Sequence, residues 1–161
     1  MVRVHRLTRK RLGQILVEAG VIDEVQLQGA LAQQKRTRQP LGEILVSHGF
    51  CTETDIVKVL VSQYSLPFLS ADQIELVPRV VRLLPMEFLR EHLIVPLQRF
   101  GNCLALLATG VPAPEVLDAI QRQTGCEVQL FVSTVSDVKS LLERVEGEMA
   151  HSKREEATAP T

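Results

Sequence analysis

The sequence predicts an α+β fold, in which an N-terminal four-helix unit made of two helical-hairpin repeats precedes a small α/β subdomain with about three strands. Two observations support this prediction. Residues 11–34 and 40–63 carry the same pattern of apolar residues at helical spacing, with KRTRQ between the two copies. After Tyr64 the pattern changes, and β-type apolar runs alternate with helical segments.

The two copies are close relatives of each other. They are identical at nine aligned positions, namely Leu12/Leu41, Gly13/Gly42, Ile15/Ile44, Leu16/Leu45, Val17/Val46, Gly20/Gly49, Glu24/Glu53, Leu31/Leu60 and Gln34/Gln63. Several further positions exchange one apolar residue for another. Two like units in one chain are suited to a ligand or partner that itself has two like halves.

Each copy predicts a short helix, a tight break and a longer helix. In the first copy, Gly20 follows the apolar stripe, and glycine adopts the left-handed conformation at a helix end without steric cost. Asp23 then caps the next helix, and Gln26 completes a capping box. The second copy has the same order of signals, at Gly49, Thr52 and Asp55. Two such hairpins with matching apolar faces should pack together.

The second half of the chain predicts three strands. LIVPLQRF and CLALLAT read as two strands joined by a hairpin turn at Gly101-Asn102. PAPEVLDAIQRQTG then predicts a helix with Gly125 just past its end, and EVQLFVST predicts the third strand. This alternation is typical of a small α/β unit.

Shorter helices complete the subdomain. VPRVVRLLPMEFLREH predicts one or two helices, with Pro78 and Pro85 in first-turn positions. VSDVKSLLERVEGEMA predicts a final helix, capped by Ser136, or by Ser133 if the helix starts earlier. We therefore divide the chain into a repeat subdomain, an α+β subdomain and a disordered tail or linker, at residues 1–66, 67–146 and 147–161.

Composition excludes several classes of protein. The longest apolar run, near Leu104–Ala108, is too short to span a bilayer, so direct membrane insertion is not expected. The N-terminal MVRVHRLTRKR lacks the apolar stretch of a signal peptide, which indicates a cytoplasmic location. Three widely spaced cysteines, Cys51, Cys103 and Cys126, fit small buried residues better than a disulfide or metal framework.

Charge and catalytic motifs narrow the function further. Basic residues precede the first copy and fill the spacer between the copies, and they form either solvated segments or an electropositive rim around an anionic ligand. Long nucleic acids are not expected, because the chain has no Trp, one Tyr and no basic-aromatic stripe. It has no G-x-x-x-x-G-K-[ST] loop and no cluster of histidines, so we predict no enzyme, no metal and no cofactor.

Gly13 and Gly42 occupy the first turn of a predicted helix in each copy. A glycine there costs about 0.5–1 kcal/mol relative to alanine, so its presence in both copies needs a reason. One reason is close packing of helices. The other is close approach of a ligand to the backbone at a helix start, where free N–H groups favour an anion.

Both copies resemble the cyclic di-GMP-binding motif of the MshEN domain. That motif consists of two R-L-G-x-x-(apolar)₂-x-x-G-(apolar)₂-x₄-L-x₃-L-x₂-Q sequences with a five-residue spacer. The first copy matches throughout. The second has Pro40 where arginine stands in the first, Ile56 in place of leucine and Cys51 at an apolar position. Similarity to the rest of the domain extends the resemblance to roughly residues 7–145.

The resemblance implies an N-terminal domain of the ATPases that drive type II secretion and type IV pilus assembly. It implies that each copy holds one guanosine half of the dinucleotide. The implied ligand-binding residues are Arg11, Leu12, Gly13, Leu27, Leu31, Gln34, Leu41, Gly42, Ile56, Leu60 and Gln63. The Arg11 guanidinium would donate hydrogen bonds to guanine or phosphate. The glutamines would offer their side-chain amides, and the glycines would leave backbone N–H groups accessible to the ligand.

The apolar members of this set would cover ribose and base faces, or form ordinary helix–helix core, or do both. Two departures from the family weaken the implied site: Pro40 removes the second arginine, and the turn Ala108-Thr109-Gly110-Val111-Pro112 lacks the acid that many members carry. Asp118 and Glu115 on the following helix are weak substitutes.

The sequence raises three possible functions. The first is a cyclic di-GMP receptor that binds one dinucleotide across both copies and regulates a secretion or pilus-type assembly system, with an assembly protein or ATPase as partner. The second is a protein-docking domain of such a system that needs no nucleotide. An enzyme acting on the dinucleotide is the third, and it fails for want of clustered acids or metal ligands.

Overall fold

The computed structural model describes residues 12–158 and confirms the α+β class, with helices around one small sheet. The helices are α1 (Leu12–Glu18), α2 (Glu24–Thr37), α3 (Leu41–Ser47), α4 (Glu53–Tyr64), α5 (Pro78–Val81), α6 (Met86–His92), α7 (Pro114–Thr124) and α8 (Val135–Thr158), with a short 3-10 helix at Ala71–Gln73. The strands are β1 (Ile94–Phe100), β2 (Cys103–Ala108) and β3 (Glu127–Val132).

In each repeat the first helix ends in a Schellman motif, with a glycine in the left-handed conformation. Gly20 has φ 75° and Gly49 has φ 72°, both in the left-handed region that favours glycine. In the first repeat the Val21 N–H donates to the Leu16 carbonyl at 3.0 Å, and the second repeat has the equivalent bond. These bonds satisfy carbonyls that the end of the helix leaves without a partner.

Both predicted capping boxes are present. The Gln26 N–H donates to the Asp23 carboxylate at 2.7 Å, and the Asp23 N–H donates back to the Gln26 side chain at 3.0 Å. Thr52 and Asp55 make the same reciprocal pair at 3.1 and 3.0 Å. Each box satisfies N–H groups that the first turn of a helix otherwise leaves without partners.

The two repeats pack together as one four-helix unit. Helix α1 packs against α2 of its own repeat and against α4 of the other, and α3 packs against α4 and α2 in the same way, so each repeat contacts the other as well as itself. Ile15, Leu16, Ile44 and Leu45 are all almost fully buried in the resulting core. Helix α4 also reaches β3, which joins the second repeat to the α/β part.

The three strands have the order β1-β2-β3. Strands β1 and β2 are antiparallel, with a register shift between Pro96 and Gln98, and Gly101 at φ 59° forms their turn. Helix α7 carries the chain from β2 to β3, which run parallel, and Gly125 at φ 68° ends that helix. The predicted strands, hairpin turn and helix end are therefore confirmed.

Three local details differ from the sequence prediction. Pro78 begins α5 as expected, but Pro85 is the residue before α6 and not part of its first turn. The cap of α8 is neither Ser136 nor Ser133: the Thr134 hydroxyl accepts the Asp137 N–H at 3.1 Å. Ser133 is instead buried, and its hydroxyl donates to the Asp137 side chain.

The final helix is longer than predicted. The sequence predicts a helix as far as Ala150 and assigns residues 147–161 to a disordered tail or linker, but α8 continues to Thr158, so residues 147–158 are helical. Gly147 does not interrupt the helix, and the segment HSKREEAT consists largely of residues that propagate a helix well. The role of this segment as a linker stays a prediction.

A single hydrophobic cluster runs through both predicted subdomains, from Ile15 in α1 to Val145 in α8. The boundary at residue 66 crosses this cluster, because α4, which precedes the boundary, packs against β3, which follows it. The domain boundaries therefore stay a prediction, within one continuous core. Across residues 12–158, no helix has both the length and the apolar character needed to cross a membrane.

Candidate ligand-binding site

Four of the predicted site residues, Leu12, Gly13, Leu41 and Gly42, meet where α1 and α3 begin. A Cβ atom placed on Gly13 would lie 3.3 Å from the Leu41 side chain, which belongs to the other repeat. A Cβ placed on Gly42 would lie 4.0 Å from the Leu12 side chain, again across the repeats. This reciprocal exchange of neighbours gives the pair of repeats an approximate two-fold arrangement.

Packing within each repeat leaves less room for a side chain at Gly13 than at Gly42. On Gly13 the added Cβ would lie only 2.4 Å from Leu27 Cδ1, a distance that real Cβ atoms do not adopt. On Gly42 the corresponding distance to Ile56 Cδ1 is 3.3 Å. Close helix packing, one of the two predicted reasons, therefore accounts for glycine at Gly13, and the surroundings of Gly42 are less restrictive.

The apolar candidates fall into two groups by exposure. Leu27, Ile56 and Leu60 are buried, with 5, 6 and 1 % of their surface exposed, and they serve as core. Leu12, Leu31 and Leu41 are half-buried against the same core. Only this second group presents apolar surface that a ligand can cover.

Gln34 and Gln63 occupy equivalent places but have different surroundings. Gln34 is half-buried, and its side-chain amide donates to the Gln39 carbonyl at 3.2 Å, which ties the end of α2 to the spacer. Gln63 is exposed near the end of α4. Arg11, the remaining candidate, lies outside the described residues. The structure thus brings Gly13, Gly42 and their leucines together and leaves the two glutamines inequivalent.

Positive charge collects in the spacer between the repeats. Lys35 and Arg36 lie in the last turn of α2, and Arg38 follows it with φ 58°. All three side chains are exposed. Cations at a helix C-terminus interact favourably with the helix dipole, which gives these residues a structural reason beside any role towards an anionic ligand.

The remaining predicted groups are peripheral or structural. Glu115 and Asp118 are exposed on α7. Cys51 and Cys126 are buried as expected, and Cys103 is half-buried. Burial raises the pKa of the Cys51 thiol, and the nearby Asp55 carboxylate raises it further. A thiol held in its neutral form is a poor nucleophile and acts here as a small apolar residue.

Sequence reasoning missed the polar contacts between the second repeat and α8. The Glu53 carboxylate accepts hydrogen bonds from the Ser136 N–H at 3.0 Å and from its hydroxyl at 2.9 Å. Glu43 forms an ion pair with Lys139. The partners are more than eighty positions apart in the chain, and no local pattern signals such pairs.

Solved structures share this fold. A structure of MshE with cdg (cyclic di-GMP) superposes with a TM-score of 0.66 at 30% identity, covering 85% of this chain and 99% of that one. The N-terminal domain of XpsE superposes with a TM-score of 0.67 at 20% identity, covering 86% and 98% of the two chains. At that identity the XpsE likeness concerns the fold alone.

Two sequence relatives are named type IV pilus assembly ATPase PilB. The protein of Myxococcus xanthus is 27% identical over 142 residues, which cover 88% of this chain and 25% of the relative. The protein of Thermus thermophilus is 32% identical over 87 residues, which cover 54% of this chain and 10% of the relative. This chain therefore corresponds to a quarter or less of the relatives it matches.

The MshEN domain model matches residues 64–152, which is more than half of the chain. That match covers the α/β part and begins where the second repeat ends. The fold shared with MshE extends the likeness over most of the chain. The chain belongs to the MshEN domain family.

Proposed function

We propose that this chain is a cyclic di-GMP receptor module that binds one dinucleotide across its two repeats. The observation that carries the proposal is the reciprocal packing of Gly13 on Leu41 and of Gly42 on Leu12. This packing supports the proposal, because two like surfaces side by side suit a ligand with two like halves. The similarity to the structure of MshE with cdg supports the choice of cyclic di-GMP as the ligand.

Each half-site is built from few groups. Leu12, Leu31 and Leu41 offer half-buried apolar surface to base and ribose faces. Backbone N–H groups in the first turns of α1 and α3 are suited to phosphate oxygens. We assign Arg11 and Gln34 to the guanine or phosphate of the first half, and Gln63 to the second. Buried Leu27, Ile56 and Leu60 support the site from the core side.

The relatives suggest the wider role. Both named relatives are type IV pilus assembly ATPases, and the chain spans only a small share of their length. We propose that the domain is the non-catalytic regulatory part of a pilus- or secretion-type assembly system in the cytoplasm. Nucleotide binding would alter how the domain docks on an ATPase or another assembly protein, with no other cofactor.

A docking domain that needs no nucleotide is the second candidate. An apolar groove of 360 Å³ lies on the side of α4 that carries Val57 and Val61, and exposed Phe68 forms part of its wall. Such a groove is suited to a protein partner. The missing arginine at Pro40 also weakens the nucleotide site.

Isothermal titration calorimetry with cyclic di-GMP separates the two candidates. The receptor proposal expects one dinucleotide per chain, no ligand-induced dimer, and much weaker binding of linear pGpG and of GMP. Weaker binding of the halves follows because occupation of one half-site raises the effective concentration of ligand at the other. No heat and no thermal stabilisation with cyclic di-GMP at hundreds of micromolar would favour the docking domain.

A further inference from the structure

The second repeat is held to α8 at two points. Glu53, the first residue of α4, accepts two hydrogen bonds from Ser136 in the first turn of α8. Glu43, in the first turn of α3, pairs with Lys139 one turn further along α8. A carboxylate at the start of α8 also interacts favourably with the positive end of that long helix. Both helices of the second repeat are therefore attached at their beginnings.

These attachment points border the second half-site. Glu43 directly follows Gly42, and the two share the first turn of α3. Glu53 lies one turn before Ile56, whose side chain packs against Gly42. A movement of either carboxylate would therefore shift the backbone at Gly42 or the side chain that supports it.

Neither attachment has a counterpart among the described residues of the first repeat. Gln14 stands at the position of Glu43, and it is exposed. Glu24 stands at the position of Glu53, but it accepts a hydrogen bond from Gln28 within its own helix at 3.2 Å. The same glutamate therefore has a partner within its helix in one copy and a partner on α8 in the other.

From this asymmetry we propose that Lys139 and Ser136 are positioning residues for the second half-site, acting through Glu43 and Glu53. The inference rests on the proposed cyclic di-GMP binding. The second copy has Pro40 in place of the arginine, so its hold on a ligand depends more on the backbone of α3. Fixing the first turns of α3 and α4 against α8 keeps that backbone in one arrangement.

Thermodynamic linkage makes the effect reciprocal. If the contacts with α8 strengthen nucleotide binding, nucleotide binding must strengthen the contacts with α8 by the same factor. Helix α8 then reports occupancy of the second half-site. It is 24 residues long, and its last buried apolar side chain in the described part of the helix is Val145.

Calorimetric titration of variants tests the proposal. Lys139→Met and Glu53→Gln should each weaken cyclic di-GMP binding about two- to fivefold, the range expected for partly exposed charge contacts. The matched controls are Lys58→Met, which removes the same charge from α4, and Glu24→Gln, the equivalent change in the first repeat. Both controls should leave the affinity unchanged. The charge reversal Glu43→Lys with Lys139→Glu should restore most of the affinity that Lys139→Met loses.

Hydrogen exchange supplies a readout that a purely structural role would not move. Cyclic di-GMP should slow exchange of the amides in the first two turns of α8 in the wild-type chain, and should slow it less in Glu53→Gln. If the wild-type chain binds but the variants bind equally well and α8 exchange is unchanged, the positioning role is wrong and the receptor proposal stands. If the wild-type chain does not bind, both are overturned.

Discussion

The first and the second repeat have the same helix caps and the same glycine endings, but they lie in different surroundings. Helix α2 of the first repeat buries two apolar side chains, Leu27 and Ala30. Helix α4 of the second repeat buries side chains on more than one face, namely Ile56, Val57, Val59, Leu60 and Tyr64. The second repeat is central and contacts the sheet, whereas the first packs mainly on the second.

The comparison shows that a duplicated sequence reproduces the local helix ends, whereas the burial of each side chain depends on where the copy lies in the fold. Capping boxes and Schellman endings form in both copies because each needs only residues a few positions apart. Burial, by contrast, depends on which neighbours arrive from elsewhere. Equivalent residues of the two repeats should therefore contribute differently to the free energy of unfolding, even where the amino acid is the same.

The largest contrast is expected between Leu60 and Leu31, which are equivalent positions. Leu60 is 1% exposed, so Leu60→Ala should cost about 2–5 kcal/mol of unfolding free energy, including the cavity that it leaves. Leu31 is half-buried, and Leu31→Ala should cost about 1 kcal/mol. Urea unfolding without ligand measures both, and equal losses would show that the two repeats are energetically equivalent.

The next contrast concerns the arginine that only the first repeat carries. Loss of a charged hydrogen bond to a ligand costs about 1.5–3 kcal/mol, so Arg11→Ala should weaken cyclic di-GMP binding at least tenfold without unfolding the domain. Lys35→Ala, which removes a charge from the exposed end of α2, should have a much smaller effect. Calorimetry gives both affinities. Equal effects would indicate nonspecific attraction of charge.

The glycines of the first turns give a smaller contrast in stability. Alanine gains about 0.5–1 kcal/mol over glycine within a helix, and Gly29→Ala should show this gain because no atom lies near its added Cβ. Gly13→Ala should instead lose about 1 kcal/mol, since displacing buried Leu27 costs more than the gain. Gly42→Ala should fall between them, and urea unfolding should give that order. A stabilised Gly13→Ala would contradict the packing argument.

The smallest contrast is between the capping boxes, because Asp55 titrates and its counterpart Gln26 does not. Hydrogen bonds from the backbone and hydroxyl of Thr52 hold the pKa of Asp55 below its ordinary value of 3.8. The unfolded chain therefore binds the proton more readily. The contribution of Asp55 to stability is present above that ordinary value and is lost as the pH falls through the folded pKa.

Asp55→Asn should accordingly reduce the loss of stability on acidification, while Gln26→Glu should introduce a new pH dependence in the first repeat. NMR titration of the Asp55 carboxyl checks the direction of the shift, and urea unfolding at neutral and acidic pH checks the linkage. A pKa of Asp55 at or above the ordinary value would contradict the assignment.

The sequence by itself determined the local structure of this protein. The helix caps and turns depend on hydrogen bonds or backbone conformations that span only a few residues. They are the Asp23–Gln26 capping box, the helix ends at Gly20 and Gly125, and the Gly101-Asn102 turn. Their outcome therefore depends little on the rest of the molecule. Apolar periodicity likewise predicted the α+β class. The alignment of the two copies identified Gly13 and Gly42 as candidate ligand-binding residues.

Only the tertiary structure decided which of those candidates can face a ligand. Leu31 and Leu60 are identical in the sequence, yet one keeps accessible surface and the other is core. Glu24 and Glu53 are identical as well, but only Glu53 meets α8, 83 positions away. Local pattern cannot supply such contacts, because the partner of a side chain is fixed only when distant segments pack together.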